Sequence, residues 1–215
     1  MKLTLLLILI NVGVFIYTFQ NLPYFIENYG FSSNSFEKGN YLNVVTAMFM
    51  HKNLLHLVGN MVVLFFVGKE VEKRVNALVY LFVYFLSGLI ANLGVVLLPL
   101  VGINATVIGA SAAISGIIGY GAFKFSGKWI LSPIRFIPIP MPFILVGAIY
   151  ALINFAGVLI FQLSAMGHLI GGVVGAFFGL VGEQHKFRKI TIFFLLIAFI
   201  SLLPYLIRYI VTLWI

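Results

Sequence analysis

The 215-residue chain contains no cysteine and no aspartate, and charged residues make up only 8% of it. Without cysteine there are no disulfides, no thiolate nucleophile and no Cys-ligated metal. Without aspartate there is no aspartyl dyad of the kind in which two carboxylates share a proton. The five acidic residues are all glutamates: Glu27, Glu37, Glu70, Glu72 and Glu183. A soluble domain is about 25% charged. A chain this poor in charge and 62% hydrophobic cannot cover itself with polar surface, so its class is integral membrane protein.

The net charge of +8 would suggest nucleic acid in a soluble protein. In a membrane protein it reads as a topology signal and as contacts to anionic headgroups, and no nucleic-acid partner is expected. A bilayer core takes about 20 helical residues. Apolar runs of that order lie at 3–20, 50–68, 76–99, 108–124, 141–162, 165–182 and 190–214, which predicts a polytopic all-α bundle. The first run continues into Phe15, Ile16, Tyr17 and Phe19 with no small-residue cleavage site, so it reads as a span and not a signal peptide. With the N-terminus cytoplasmic and the C-terminus outside, the cytoplasmic side receives Lys2, Lys69, Lys73, Arg74, Lys124, Lys128, Arg135, Lys186, Arg188 and Lys189. The other side receives only Lys38, Lys52 and Arg208, a strong positive-inside asymmetry. The external loop 21–49 is long. The loop after span four holds Pro133, Pro138, Pro140 and Pro142, which predicts a stiff, non-helical segment.

Polar residues inside spans carry the most information. Span two opens with His51, His56 and Asn60, the last two one turn apart on one face. Span four opens with Gly109, Ser111 and Ser115, and span six with His168. All three spans run in the same direction, and at about 1.5 Å rise per residue these groups reach one depth near the outer ends. Small residues recur every four positions, at Gly167, Gly171, Gly175 and Gly179 in span six and at Ser111, Ser115 and Gly119 in span four. That spacing lets two helices approach closely, as a short serine side chain meeting a histidine requires.

Serine becomes a nucleophile when a base takes its proton, and histidine is the usual base. With no aspartate and the glutamates in loops or at a span end, a carboxylate triad is disfavoured. A Ser111–His168 dyad remains, with the imidazole held by helix packing and the Ser115 hydroxyl. Asn60, His56 and the free N–H groups at the start of the Ser111 helix are candidate donors to an oxyanion. There is no H-E-x-x-H and no third ligand beside any histidine pair, so no metal and no cofactor is expected.

Three motifs carry a resemblance. His51-x-x-x-x-His56-x-x-x-Asn60, Gly109-Ala110-Ser111-Ala112 and His168-x-x-Gly171-x-x-x-Gly175 resemble, in order and on the matching spans, the motifs of rhomboid intramembrane serine proteases. The resemblance covers about residues 1–183. It implies a six-helix catalytic core over 1–183, with 184–215 a cytoplasmic loop and an additional C-terminal transmembrane helix. It also implies cleavage of transmembrane helices near the outer membrane face, with membrane-protein substrates and lipids as partners. Ser111 is then nucleophile and His168 base. His56, Asn60 and the Ser111 N–H form the oxyanion hole, while Gly109, Ser115 and His51 support the site. The sequence departs from the family pattern at Ala112, where glycine is common. It departs again at Ser115, where some members have an aromatic against the histidine, and at Leu42-Asn43, where Trp-Arg is frequent. The compact build suggests a prokaryotic plasma membrane. Two other functions compete: a catalytically silent relative that binds membrane clients, and a small transporter. The first typically loses the nucleophile or base; the second calls for buried carboxylates and broken helices in an inverted repeat. Oligomeric state and natural substrate leave no readable trace.

Overall fold

The structure, a computed structural model, describes residues 2–134, 137–160 and 163–213. Arg135 and the Arg208 side chain lie outside the described residues. The chain runs through α1 (Lys2–Thr18), α2 (Leu22–Tyr29), α3 (Ser33–Glu37), α4 (Asn43–Thr46), α5 (Leu54–Val63), α6 (Lys69–Glu72) and α7 (Ala77–Leu93). After these come α8 (Ser111–Lys124), strands β1 (Trp129–Ile134) and β2 (Ile137–Pro142), α9 (Phe143–Leu159), α10 (Leu163–Leu180) and α11 (Lys186–Leu213). A π-turn, Leu64–Gly68, joins α5 to α6 into one rod, and a 3-10 stretch, Gly94–Val101, extends α7.

Each predicted apolar run contains a helix. Four continuous helical stretches among the described residues have the length and hydropathy to cross a bilayer: Lys2–Tyr29, Leu54–Glu72, Ala77–Leu100 and Leu163–Leu180. The molecule is a polytopic helical membrane protein. Helix α8 is shorter, at 14 residues, and every residue from Ala112 to Phe123 is buried, so it is the central post around which the others pack. Side-chain caps set several starts. Asn53 accepts from the His56 N–H at 2.8 Å and Asn76 from that of Val79 at 2.9 Å, each satisfying an N–H that the first turn leaves free.

The proline-rich loop is an antiparallel hairpin, with Ile130 opposite Met141 and Ser132 opposite Ile139. The all-α expectation therefore needs this one amendment. Pro138, Pro140 and Pro142 are two residues apart, so their missing N–H groups fall on the unpaired edge of β2, while Ile139 and Met141 remain free to pair.

The long first loop is structured and tied to the serine segment. Phe31 and Val107 exchange backbone hydrogen bonds of 3.2 and 2.8 Å, and the Gly109 N–H donates to the Ala47 carbonyl at 2.8 Å. Asn43 secures the loop from its other end. Its amide donates to the carbonyls of Asn28 at 2.9 Å and Gly30 at 3.0 Å.

At the opposite end, the Glu72 carboxylate accepts from the N–H groups of Leu3 at 3.0 Å and Thr4 at 2.9 Å, so a carboxylate meets the N-terminus of α1. Glu183 joins Lys124 at 3.1 Å and also pairs with Lys189, whose ammonium donates to the Phe123 carbonyl at 2.8 Å. This cluster fastens α11 to α8. The Lys189 ammonium, with help from Lys124, holds the Glu183 carboxyl below the usual carboxylate range. A carboxyl depressed in the folded state adds stability above its unfolded value of about 4.3, and that stability is lost as pH falls through the folded value. Glu183→Gln should therefore lower thermal stability at neutral pH by about 1 kcal/mol or less. The gap from wild type should close below about pH 4. A gap that is unchanged at low pH would contradict this account of the cluster.

Candidate active site

Ser111 is the first residue of α8 and His168 lies in the second turn of α10. These helices are brought together by glycine. A side-chain carbon at Gly171 would overlap the Ala112 carbonyl, one at Gly175 the Gly116 carbonyl, and one at Gly119 the Gly172 carbonyl. At Gly179 it would come within 2.6 Å of the Tyr120 carbonyl oxygen. Backbones thus touch where side chains would normally stand between them. Gly167 is different: nothing lies within 4 Å of the position its side chain would take, so it belongs to the stripe in sequence but not in packing.

The result is an Oγ of Ser111 2.7 Å from Nε2 of His168, within the range of a strong hydrogen bond. Both line a cavity of about 360 Å³, together with His56, Gly109 and an apolar wall that includes Val95 and Leu98. Gly109 has φ of 121°, a conformation that favours glycine. A side-chain carbon there would come within 2.8 Å of the His56 ring and 3.7 Å of Ser111 Oγ, so His56 and the serine flank the same backbone bend. The Lys52 N–H approaches His56 Nδ1 at 3.4 Å, a long contact that favours the ring proton on Nε2, the nitrogen beside Gly109.

Three other expected residues stand off the cavity wall. His51 is fully buried, its ring 5.0 Å from that of His56. The Asn60 amide nitrogen is buried and has no hydrogen-bond partner among the described residues. Ser115 does not hold His168, contrary to expectation. Its hydroxyl donates to the Ser111 carbonyl at 2.6 Å and stands 2.9 Å from the Tyr150 hydroxyl. A serine has one proton to give, so Tyr150 is the donor in that second contact.

The residue that does hold the imidazole is Asn154, whose Oδ1 lies 2.7 Å from His168 Nδ1. Tyr150, one turn earlier on α9, brings its ring to 6.3 Å from that of His168. An aromatic thus accompanies the histidine from α9, while position 115 holds a small residue. Span five carries neither a histidine nor a serine and so has none of the residue types that mark spans two, four and six. The available signal was an Asn and a Tyr at four-residue spacing within an apolar helix.

A model of the rhomboid domain matches residues 38–185, more than half of the chain. The chain belongs to the rhomboid family. It is also 40% identical, over 86 residues, to the rhomboid-like protease 3 of Toxoplasma gondii. That match takes in 40% of this chain and 32% of the relative, so the chain spans well under two thirds of the relative's length. The rhomboid match includes the segments that carry His51, His56, Asn60, Gly109, Ser111 and His168, and it takes in Tyr150 and Asn154 as well. Helix α11 begins at its end.

Proposed function

We propose that this rhomboid is an intramembrane serine endopeptidase, with Ser111 as nucleophile and His168 as general base. The observation that carries the reading is the 2.7 Å contact between Ser111 Oγ and His168 Nε2, at the wall of a cavity among helices long enough to span a bilayer. As Oγ attacks the scissile carbonyl carbon, its proton passes to Nε2. The oxyanion formed takes hydrogen bonds from the Ser111 N–H at the start of α8 and from the His56 ring, and from the Asn60 amide, one turn after His56, once that side chain turns toward the cavity. The unpartnered state of the Asn60 nitrogen supports that role, because a buried donor without an acceptor carries a desolvation penalty that a ligand oxygen would relieve. Collapse of the intermediate moves the proton from Nε2 to the leaving amine, and water then hydrolyses the acyl-enzyme by the reverse transfers.

The substrates are transmembrane segments of other membrane proteins, cut near one face of the bilayer. The basic residues gather at the end of the bundle away from Ser111, where Lys124, Lys189 and the start of α1 lie. By the positive-inside rule that end faces the cytoplasm and the site lies toward the outer face, with the C-terminus outside.

The test is reconstitution in liposomes with a single-span substrate, mapping the products by mass. Cleavage within the outer part of the substrate span, together with labelling of Ser111 by a serine-directed phosphonate, is the expected result. Labelling without cleavage of any substrate would favour a client-binding relative. Absence of both labelling and cleavage would overturn the nucleophile assignment.

A further inference from the structure

A neutral imidazole has one ring proton, and only the unprotonated nitrogen can accept from a serine hydroxyl. In solution the ring exchanges between tautomers. In this chain there is no aspartate to select one.

We propose that Asn154 is the positioning residue of the base, fixing His168 as the Nδ1–H tautomer so that Nε2 stands unprotonated against Ser111. The proposal rests on the protease reading above. The Asn154 amide has its orientation set: its Nδ2 donates to the Tyr150 carbonyl at 2.8 Å. The other end of the amide, Oδ1, therefore faces the ring, 2.7 Å from Nδ1. A carbonyl oxygen accepts and cannot donate, so Nδ1 carries the proton. Nε2 is left as an acceptor for the Ser111 hydroxyl at 2.7 Å. Asn154 is 6% exposed, so water competes little for either end of its amide.

Tyr150 and Asn154 lie one turn apart and share a face of α9. From that face Tyr150 donates to the Ser115 hydroxyl at 2.9 Å, which donates to the Ser111 carbonyl at 2.6 Å. One face of α9 therefore holds both partners. Asn154 orients the base on α10, and Tyr150 ties to the first turn of α8, which carries the nucleophile. An amide in place of a carboxylate has a precedent in Cys-His-Asn hydrolases, where the orienting group is likewise neutral. It also suits this environment, since a buried carboxylate with no charged partner would carry a large desolvation penalty.

The experiment has two readouts. In purified, labelled protein, ¹⁵N NMR of the ring nitrogens of His168, assigned by their loss in His168→Gln, reports which nitrogen bears the proton and needs no substrate. Wild type should show Nδ1 protonated, whereas Asn154→Leu, similar in size but without an acceptor, should lose that preference. In cleavage assays Asn154→Leu should lower kcat on the order of 10²-fold while leaving KM within about twofold, the pattern of a group that acts on the chemical step. Asn154→Asp, held as the neutral acid by burial, donates its proton to the Tyr150 carbonyl and accepts from Nδ1 through its other oxygen, as the amide does, and should recover kcat to within about tenfold of wild type. A wild-type ring protonated at Nε2 overturns the proposal, and so does an Asn154→Leu enzyme with unchanged kcat and tautomer. Should Asn154→Leu fail to fold, the wild-type tautomer and the activity of Asn154→Asp decide. A wild type that cleaves nothing while its ring is held as Nδ1–H would count against the protease reading alone.

Discussion

Ser111→Ala is expected to reduce cleavage by at least about 10⁴-fold, and His168→Ala by a similar factor. The two effects should not add. Nucleophile and base act as one unit through a single 2.7 Å contact, so once either is gone the other has nothing to act on. The double variant should be no slower than the slower single one. Any residual rate would come from substrate binding and from the oxyanion donors, which neither substitution removes. The measurement is initial cleavage rate in liposomes for wild type, both single variants and the double variant, with thermal unfolding to confirm that each is folded. Multiplicative losses would mean that the two residues work in separate steps. A Ser111→Ala protein that cuts like wild type would place the nucleophile elsewhere.

Ser111 and His168 were legible because membrane sequences contain few polar residues inside spans, and these two lie near the ends of parallel spans. The spacing of Gly171, Gly175 and Gly179 indicated which helices would meet. Asn154 was not legible by that route. Its partner is 14 residues away in sequence, on the next helix, and nothing in a lone Asn within an apolar run fixes which neighbour it faces. Ser115 was misassigned for a related reason. At i+4 from Ser111, its hydroxyl gives its one proton to the carbonyl of its own helix and accepts from Tyr150, so it has no proton to give His168. The hairpin between α8 and α9 was hidden by its prolines, which suppress a strand reading unless their alternation is noticed. Gly167 was misread in the opposite direction. It continues the stripe perfectly in sequence but lies near the start of α10, where the Cβ position of residue 167 is open.

That contrast gives a sharp prediction for the helix contact itself. Alanine is intrinsically better than glycine in a helix by about 1 kcal/mol, so Gly167→Ala, with nothing near the new methyl group, should be neutral or slightly stabilising. At Gly175 the same substitution drives the methyl group into the Gly116 carbonyl. Backbone cannot rotate away as a side chain can, so α10 must move off α8. Overpacking of this kind costs about 1–3 kcal/mol, sometimes more, which exceeds the helix-propensity gain. The shift should also reach the chemistry. Gly175 lies two turns beyond His168 on the same helix, and the two helices are rigid rods in contact along this face. Displacing α10 by about 1 Å would stretch the Ser111–His168 contact beyond hydrogen-bonding range, and a misplacement of that size can lower a rate on the order of 10²-fold. The check is to compare Gly167→Ala, Gly175→Ala and wild type in detergent, by thermal unfolding and by cleavage rate. Loss of both stability and rate in Gly175→Ala, with neither lost in Gly167→Ala, is the expected result. If Gly175→Ala matches Gly167→Ala in both measurements, then close approach of α8 and α10 at Gly116 is not what brings the serine to its base.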